Sequence, residues 1–97
     1  MRRLVVIVKP FKAEAVARAL LEAGAVCLHF QEARGYGRQK GHLELYRDDP
    51  DRVAFLPKVR LECALPEAAV EAAIAAVTEA ARTGRIGDGK IFLEALA

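Results

Sequence analysis

The sequence contains no serine, no asparagine and no tryptophan. Without serine, nucleophilic catalysis through a serine hydroxyl is excluded. Cysteine is scarce: Cys27 and Cys63 stand far apart and form no C-x-x-C pair, so neither a disulfide framework nor a cysteine-rich metal site is expected. Both lie in apolar, strand-like segments and are expected to act as small buried hydrophobes. The two histidines, His29 and His42, have no carboxylate or cysteine at ligand spacing, which argues against a metal site of their own. No apolar run approaches the roughly 20 residues of a membrane span. The N-terminus lacks a signal-peptide pattern, so a soluble, cytoplasmic protein is expected. Charge of one sign is also lacking: the formal net charge of +2 points neither to nucleic acid nor to a disordered acidic tail. A length of 97 residues is expected to make one domain. So short a chain buries a modest share of its surface, and oligomerisation would add to its stability.

Two glycine- and cation-rich stretches stand out against this background. The first, Arg34-Gly35-Tyr36-Gly37-Arg38-Gln39-Lys40-Gly41-His42-Leu43-Glu44-Leu45-Tyr46-Arg47, follows one apolar segment and leads through Asp48-Asp49-Pro50-Asp51-Arg52 to Phe55-Leu56-Pro57-Lys58, where another begins. The second is Thr83-Gly84-Arg85-Ile86-Gly87-Asp88-Gly89-Lys90. Glycine permits positive φ and close backbone approach. Arg and Lys supply donors suited to phosphate or carboxylate oxygens, and Gln39 adds an amide. Together they suggest an anion or nucleotide site.

Between these stretches the pattern is regular. Leu4-Val5-Val6-Ile7-Val8 reads as a strand that is apolar on both faces. Helices of one domain cover only one face, so the other is expected to meet a partner chain. Val16, Ala19, Leu20 and Ala23 follow at helical spacing, with Glu14 and Arg18 paired on the outer side and Gly24 as the stop. Residues 25–36 read as a second strand, with Val26, Leu28 and Phe30 on one face. A long connection over 37–56 is expected to be functional. Val59, Leu61 and Cys63 mark a third strand. Pro66 and Glu67 open a second helix carrying Val70, Ala73, Ile74, Val77 and Ala81, with Gly84 ending it. Ile91–Leu96 forms a last strand. The order βαββαβ with right-handed crossovers predicts an α+β, ferredoxin-like sandwich: an antiparallel sheet, two helices on one face, and a long loop between strands 2 and 3.

Gly84 to Lys90 has the G-x-x-x-x-G-K spacing of a P-loop. Ile91 stands where that motif needs Ser or Thr, and the segment leaves a helix and enters a strand, the reverse of the required order. A glycine turn ending in a lysine remains, whose N–H groups could form an anion nest. Gly35-x-Gly37 opens no helix and is not a dinucleotide fingerprint. Lys58 and Glu62 share a strand face and could share a pocket.

Taken together, G-Y-G-R-Q-K-G-H-L-E-L-Y-R, F-L-P-K-V, T-G-R-I-G-D-G-K-I-F and K-P-F-K at Lys9 to Lys12 resemble the nitrogen regulatory protein PII family in one register over nearly the whole chain. The resemblance implies a compact homotrimer of ferredoxin-like subunits with ATP or ADP in the clefts between them. It implies nucleotide contacts from Gly37, Arg38, Gln39, Lys58, Glu62, Gly87, Asp88, Gly89 and Lys90. His29 and Ala64 match positions near the adenine and ribose, where the family usually carries other residues. It further implies 2-oxoglutarate beside an ATP-held magnesium, served by Gln39 and Lys58, with Gln39 toward the metal. The long loop would dock on ammonium channels or nitrogen-assimilation enzymes, with Tyr46 and with Arg47 at the position of the channel-blocking arginine. No nucleic acid and no membrane insertion are implied.

Asp51 replaces the family's uridylylated tyrosine, so that modification is expected to be absent. The sequence stops at Ala97, before the family's C-terminal basic residues, and each lost charge-assisted contact is expected to cost about 1.5–3 kcal/mol. A different class, a small nucleotide- or phosphoester-handling enzyme on the same fold, would need a nucleophile or base from His42, Cys27, Cys63, Asp88 or Glu62; of these only Glu62 and Cys63 are close in sequence, and as neighbours on a strand they point to opposite faces. An RNA-binding βαββ module lacks the necessary aromatic pairs on its middle strands.

Overall fold

The computed structural model describes residues 1–35, 56–85 and 87–96. The chain runs β1 (Arg2–Val8), α1 (Ala13–Glu22), β2 (Val26–Gly35), β3 (Leu56–Leu65), α2 (Val70–Ala81) and β4 (Gly89–Ala95). Short 3₁₀ turns, Pro10–Lys12 and Glu67–Ala69, lead into the two helices. The sheet order is β2-β3-β1-β4 with antiparallel neighbours throughout. This is the ferredoxin-like arrangement expected from the βαββαβ order.

The core lies between one sheet face and both helices. Leu4, Val6 and Val8 of β1 and Leu61, Cys63 and Leu65 of β3 join Val16 and Leu20 of α1 and Val70, Ala73, Val77 and Ala81 of α2 in one cluster. Every second strand residue contributes, as a pleated sheet with one covered face requires. α1 ends as the sequence predicts. Gly24 has φ +99°, its N–H donates to Leu21 O at 3.1 Å, and Ala25 N–H donates to Leu20 O at 3.0 Å. Those two bonds make a Schellman cap, with Ala25 and Leu20 both buried beside it.

The opposite face of the sheet carries no helix among the described residues. The register places Glu62, Val5 and Phe92 side by side on it, with Arg60, Ile7 and Lys90 as the next row. Val5 is only 4% exposed, whereas Phe92 remains exposed. Pro57 falls where β3 has run past Val59, its last partner to β1, so its missing N–H costs β1 no bond.

Three expectations are corrected. Cys63 is buried, but Cys27 is exposed. The alternation expected in β2 also breaks. Val26 pairs with Ala64 and His29 with Glu62, so a bulge at Cys27 and Leu28 moves Val26 to the open face while Leu28 packs on the core. Finally, α2 stops before Gly84. Arg82 already has extended dihedrals, φ −66° and ψ 128°, and Gly84 serves the following turn with φ +81°.

Candidate functional site

The site begins where β1 ends. Pro10 forces the chain out of the strand, and Lys9, at the junction, turns inward until it is only 8% exposed. A buried ammonium needs a counter-charge and acceptors. Its Nζ reaches Asp88 Oδ1 at 3.2 Å and Thr83 Oγ1 at 3.3 Å. Asp88 lies just before β4, directly across from the end of β1. Its Oδ2 accepts the N–H groups of Thr83, at 2.7 Å, and Gly84, at 3.0 Å. The Thr83 hydroxyl donates to Asp88 Oδ1 and accepts the N–H of Arg85 at 3.2 Å. These donors, the Thr83 hydroxyl first and its N–H second, hold the Asp88 carboxyl far below the usual carboxylate range against the opposing effect of burial.

Two glycines complete the turn. Gly87 has φ +85°, and its carbonyl accepts Lys58 Nζ at 3.1 Å. A Cβ on Gly89 would stand 2.8 Å from Ile7 O, so β4 can begin this close to β1 only with glycine there.

Around this turn three lysines gather. Lys9, Lys58 and Lys90 sit at one end of the sheet, and Asp88 is their carboxylate neighbour. Burial, followed by the charges of Lys9 and Lys90, lowers the pKa of Lys58, with Asp88 pulling the other way. Three ammonium groups against one carboxylate, itself saturated with donors, leave a local excess of positive charge. Such an excess attracts an anion. A surface depression of about 590 Å³ opens here, lined by Lys9, Pro10, Phe11, Lys12, Lys58, Thr83 and Arg85 among others.

Farther along the open face lies a second charged group. Glu62 Oε2 accepts Arg60 Nη1 at 3.0 Å, and Glu62 Oε1 lies 2.7 Å from Arg3 Nε. That Arg3 N–H is buried and not aligned for a hydrogen bond, so charge alone holds it. Arg3 also approaches Glu94 at 3.7 Å. The hydrogen bond from Arg60, together with the charges of Arg3, Arg60 and His29, lowers the Glu62 pKa. His29 stands across from Glu62, and Ala64 across from Arg3.

Of the residues singled out in the sequence, Lys58, Gly87, Asp88, Gly89 and Lys90 therefore meet at one end of the sheet. His29, Glu62 and Ala64 share the same open face farther along. Gly37, Arg38, Gln39, Tyr46, Arg47 and Asp51 lie outside the described residues. Sequence reasoning missed Lys9 and Thr83 as parts of the site. The signal for Lys9 was a lysine between a fully apolar strand and a proline; for Thr83, a hydroxyl five residues before Asp88. Among the described residues no group of three or more His, Cys, Asp and Glu side chains could hold a metal ion, and no helix is long and apolar enough to cross a membrane.

A model of the nitrogen regulatory protein P-II family matches residues 1–97. A nitrogen regulatory protein P-II from Mesorhizobium japonicum is 55% identical over 93 residues, covering 96% of this chain and 83% of the relative. One from Rhodospirillum rubrum is 52% identical over 96 residues, 99% of this chain and 86% of the relative. One from Haemophilus influenzae is 47% identical over 93 residues, with coverage of 96% and 83%. All three carry the name of a regulatory protein. With a match along its whole length and identities near one half, the chain belongs to the nitrogen regulatory protein P-II family, a regulator and not an enzyme.

Proposed function

We propose that the chain is a cytoplasmic signal transducer that binds ATP or ADP and passes the ligand state to proteins of nitrogen metabolism. The observation that carries this reading is the convergence of Lys9, Lys58 and Lys90 on a glycine turn whose own carboxylate is already satisfied. Phosphate oxygens answer that excess charge, and Gly87 and Gly89 leave their backbone open to close approach. Lys58 and Glu62 lie four residues apart on one strand, roughly 13 Å. A nucleotide is long enough to put its phosphates at the lysines and its base near His29, Glu62 and Ala64.

The working form is a homotrimer with its clefts between subunits. The unhelixed face of the sheet, with Val5 buried and Phe92 exposed beside it, supports a partner copy. Gly37, Arg38 and Gln39 would close the site from the base of the 37–56 loop. Tyr46 and Arg47 would carry the signal to an ammonium channel or a nitrogen-assimilation enzyme. Ligand binding acts by biasing which loop conformation is populated. 2-Oxoglutarate would bind beside the phosphates through Gln39 and Lys58. Both oxygens of Asp88 already accept donors, so this carboxylate is not the metal ligand. Magnesium would be held by the nucleotide phosphates and Gln39, and would supply charge neutralisation there.

Calorimetric titration with ATP, ADP and 2-oxoglutarate, with and without magnesium, tests this reading. Lys90→Ala should weaken ATP by about 1.5–3 kcal/mol, the worth of a charge-assisted contact, while light scattering still gives a trimer. ATP should also protect the 37–56 segment from proteolysis. Equal ATP affinity in the parent and the variant, or a monomer at micromolar concentration, contradicts the proposal.

A further inference from the structure

We propose that Lys9 is a positioning residue of the anion site that does not itself meet the ligand: it cancels the charge of Asp88, so that Lys58 and Lys90 face the anion unopposed. This rests on the anion-binding reading above. A carboxylate between Gly87 and Gly89 is out of place in a turn that receives phosphate, because its charge repels the oxygens that the glycines admit. The donors from Thr83 and Gly84 satisfy its lone pairs but bring no net charge. Among the described residues Lys9 is the only cation in an ion pair with it, Nζ to Oδ1 at 3.2 Å.

The three lysines are held in ways that separate their parts. Lys9 is buried, and its ammonium group donates to Asp88 Oδ1 and Thr83 Oγ1. Were it to turn to an anion, it would leave Asp88 charged and unpaired at the same place. Lys58 donates to the Gly87 carbonyl, a neutral acceptor that it can exchange for an anion without stranding a charge. Lys90 is exposed. Lys58 and Lys90 therefore present the excess charge, and Lys9 answers the carboxylate.

The same balance reaches Lys58 from several sides. Burial acts against its proton most, Lys9 at the end of β1 and Lys90 on β4 act the same way, and Asp88 favours it. Lys12 and Arg85 line one of the two depressions that Lys58 borders, and Glu32 and Arg34 line the other. Loss of Lys9 leaves Asp88 its bonds from the Thr83 hydroxyl, Thr83 N–H and Gly84 N–H, so the turn keeps its frame. Its charge is then uncancelled. Lys58 keeps its proton to higher pH, and an incoming anion meets the bare carboxylate. Removing both charges together, Lys9→Met with Asp88→Asn, returns the sum to that of the parent.

The test uses the whole chain with Lys9→Met, with Asp88→Asn and with both, titrated by calorimetry with ATP and with inorganic tripolyphosphate at fixed salt. Lys9→Met should weaken both ligands about tenfold, the effect of one uncancelled charge beyond contact distance. Adding Asp88→Asn should restore affinity to within about twofold of the parent. A loss that persists in the double variant means that Lys9 itself meets the anion. A loss that deepens means that the pair serves the shape of the turn and not its charge. Either result overturns the proposal. Chemical denaturation reports whether each variant is folded. If Lys9→Met is not, the double variant, which leaves no unpaired charge in the turn, decides by the same standard. Lys58 gives a readout without ligand: its titration followed by NMR should move to higher pH in Lys9→Met and back towards the parent in the double variant. An unmoved titration also overturns the proposal. A parent that binds neither ATP nor tripolyphosphate removes the nucleotide reading, and the Lys58 titration still judges the charge balance.

Discussion

Two charged groups occupy the sheet, and they are built in opposite ways. At the end of β1, Asp88 is bound by two fixed backbone N–H groups, a threonine hydroxyl and a lysine that is itself 8% exposed. On the open face, Glu62 is held by two long arginines, one of them through an unaligned contact. A carboxylate held by backbone donors is part of the frame. One held by flexible side chains can exchange partners at little cost. The difference bears on the proposed site: Asp88, with Lys9, shapes the turn, whereas Glu62, held by side chains alone, can exchange its partners for a ligand or a second subunit.

The strongest way to break that contrast is Asp88→Ala. It removes the acceptor of Thr83 N–H and Gly84 N–H and leaves Lys9 without a counter-charge in a buried place. The largest fall in denaturant midpoint of the series is expected, with an unchanged m-value. Acid should have the same effect on the parent. The folded-state pKa of Asp88 lies below its unfolded value, so its stabilisation is complete above the unfolded carboxylate pKa of about 4 and is lost as pH falls below it. Asp88→Ala should flatten this acid limb. A parent-like acid limb in the variant would show that other carboxylates set it.

Next in size is Gly89→Ala. Its Cβ would meet Ile7 O at 2.8 Å and Val8 Cγ1 at 3.2 Å, and the first neighbour is backbone that cannot swing away. Such overpacking costs about 1–3 kcal/mol, measurable by chemical denaturation. A neutral result would mean that β4 can shift against β1, and that the end of the sheet is softer than its bonding implies.

The contrast also marks how far the sequence could be read. The strands, both helices, the Glu14–Arg18 pair and the Gly24 cap follow from periodicity and glycine placement, because those features are local, and the order of strands in the sheet follows from right-handed crossovers. Lys9 did not, because its burial depends on a carboxylate 79 residues away. Cys27 was misplaced because its burial was inferred from the apolar, strand-like segment around it, and a bulge there leaves it exposed. Gly84 was misread because Arg82 turns extended before the helix can reach it. The clustering of Lys58 with the Gly87–Lys90 turn was legible only through the family resemblance, since nothing in the spacing joins segments so far apart.

A smaller effect should come from pH at the lysine cluster. Burial and the charges of Lys9 and Lys90 lower the pKa of Lys58, so it loses its proton before an ordinary lysine does. ATP affinity should decline as pH rises from neutrality towards that loss, by about threefold to tenfold, because the protonated form makes the attractive contact. Lys58→Arg, which keeps its charge, should remove most of the slope in calorimetric titrations. An identical slope in the variant would assign the titration to another group.

The smallest effect should come from Glu94→Ala, at the outer edge of the open-face group. Glu94 lies 3.7 Å from Arg3, and its side chain is 51% exposed, so solvent already screens the pair. Arg3 also keeps its closer neighbour, Glu62 Oε1, at 2.7 Å. A loss of about 0–1 kcal/mol is expected, disappearing in about 1 M salt, where the Debye length is near 3 Å. Within one chain nothing more should be lost, since Ala at this strand position leaves no cavity and strands no buried charge. The result becomes sharp in an assembly. A second subunit lying on the open face would take Glu94 out of water, and its removal would then leave Arg3 facing an interface. Denaturation of the variant at several protein concentrations reads the two cases apart: a small, salt-sensitive and concentration-independent change means that Glu94 stays in solvent, and a large change that varies with dilution means that another chain covers it.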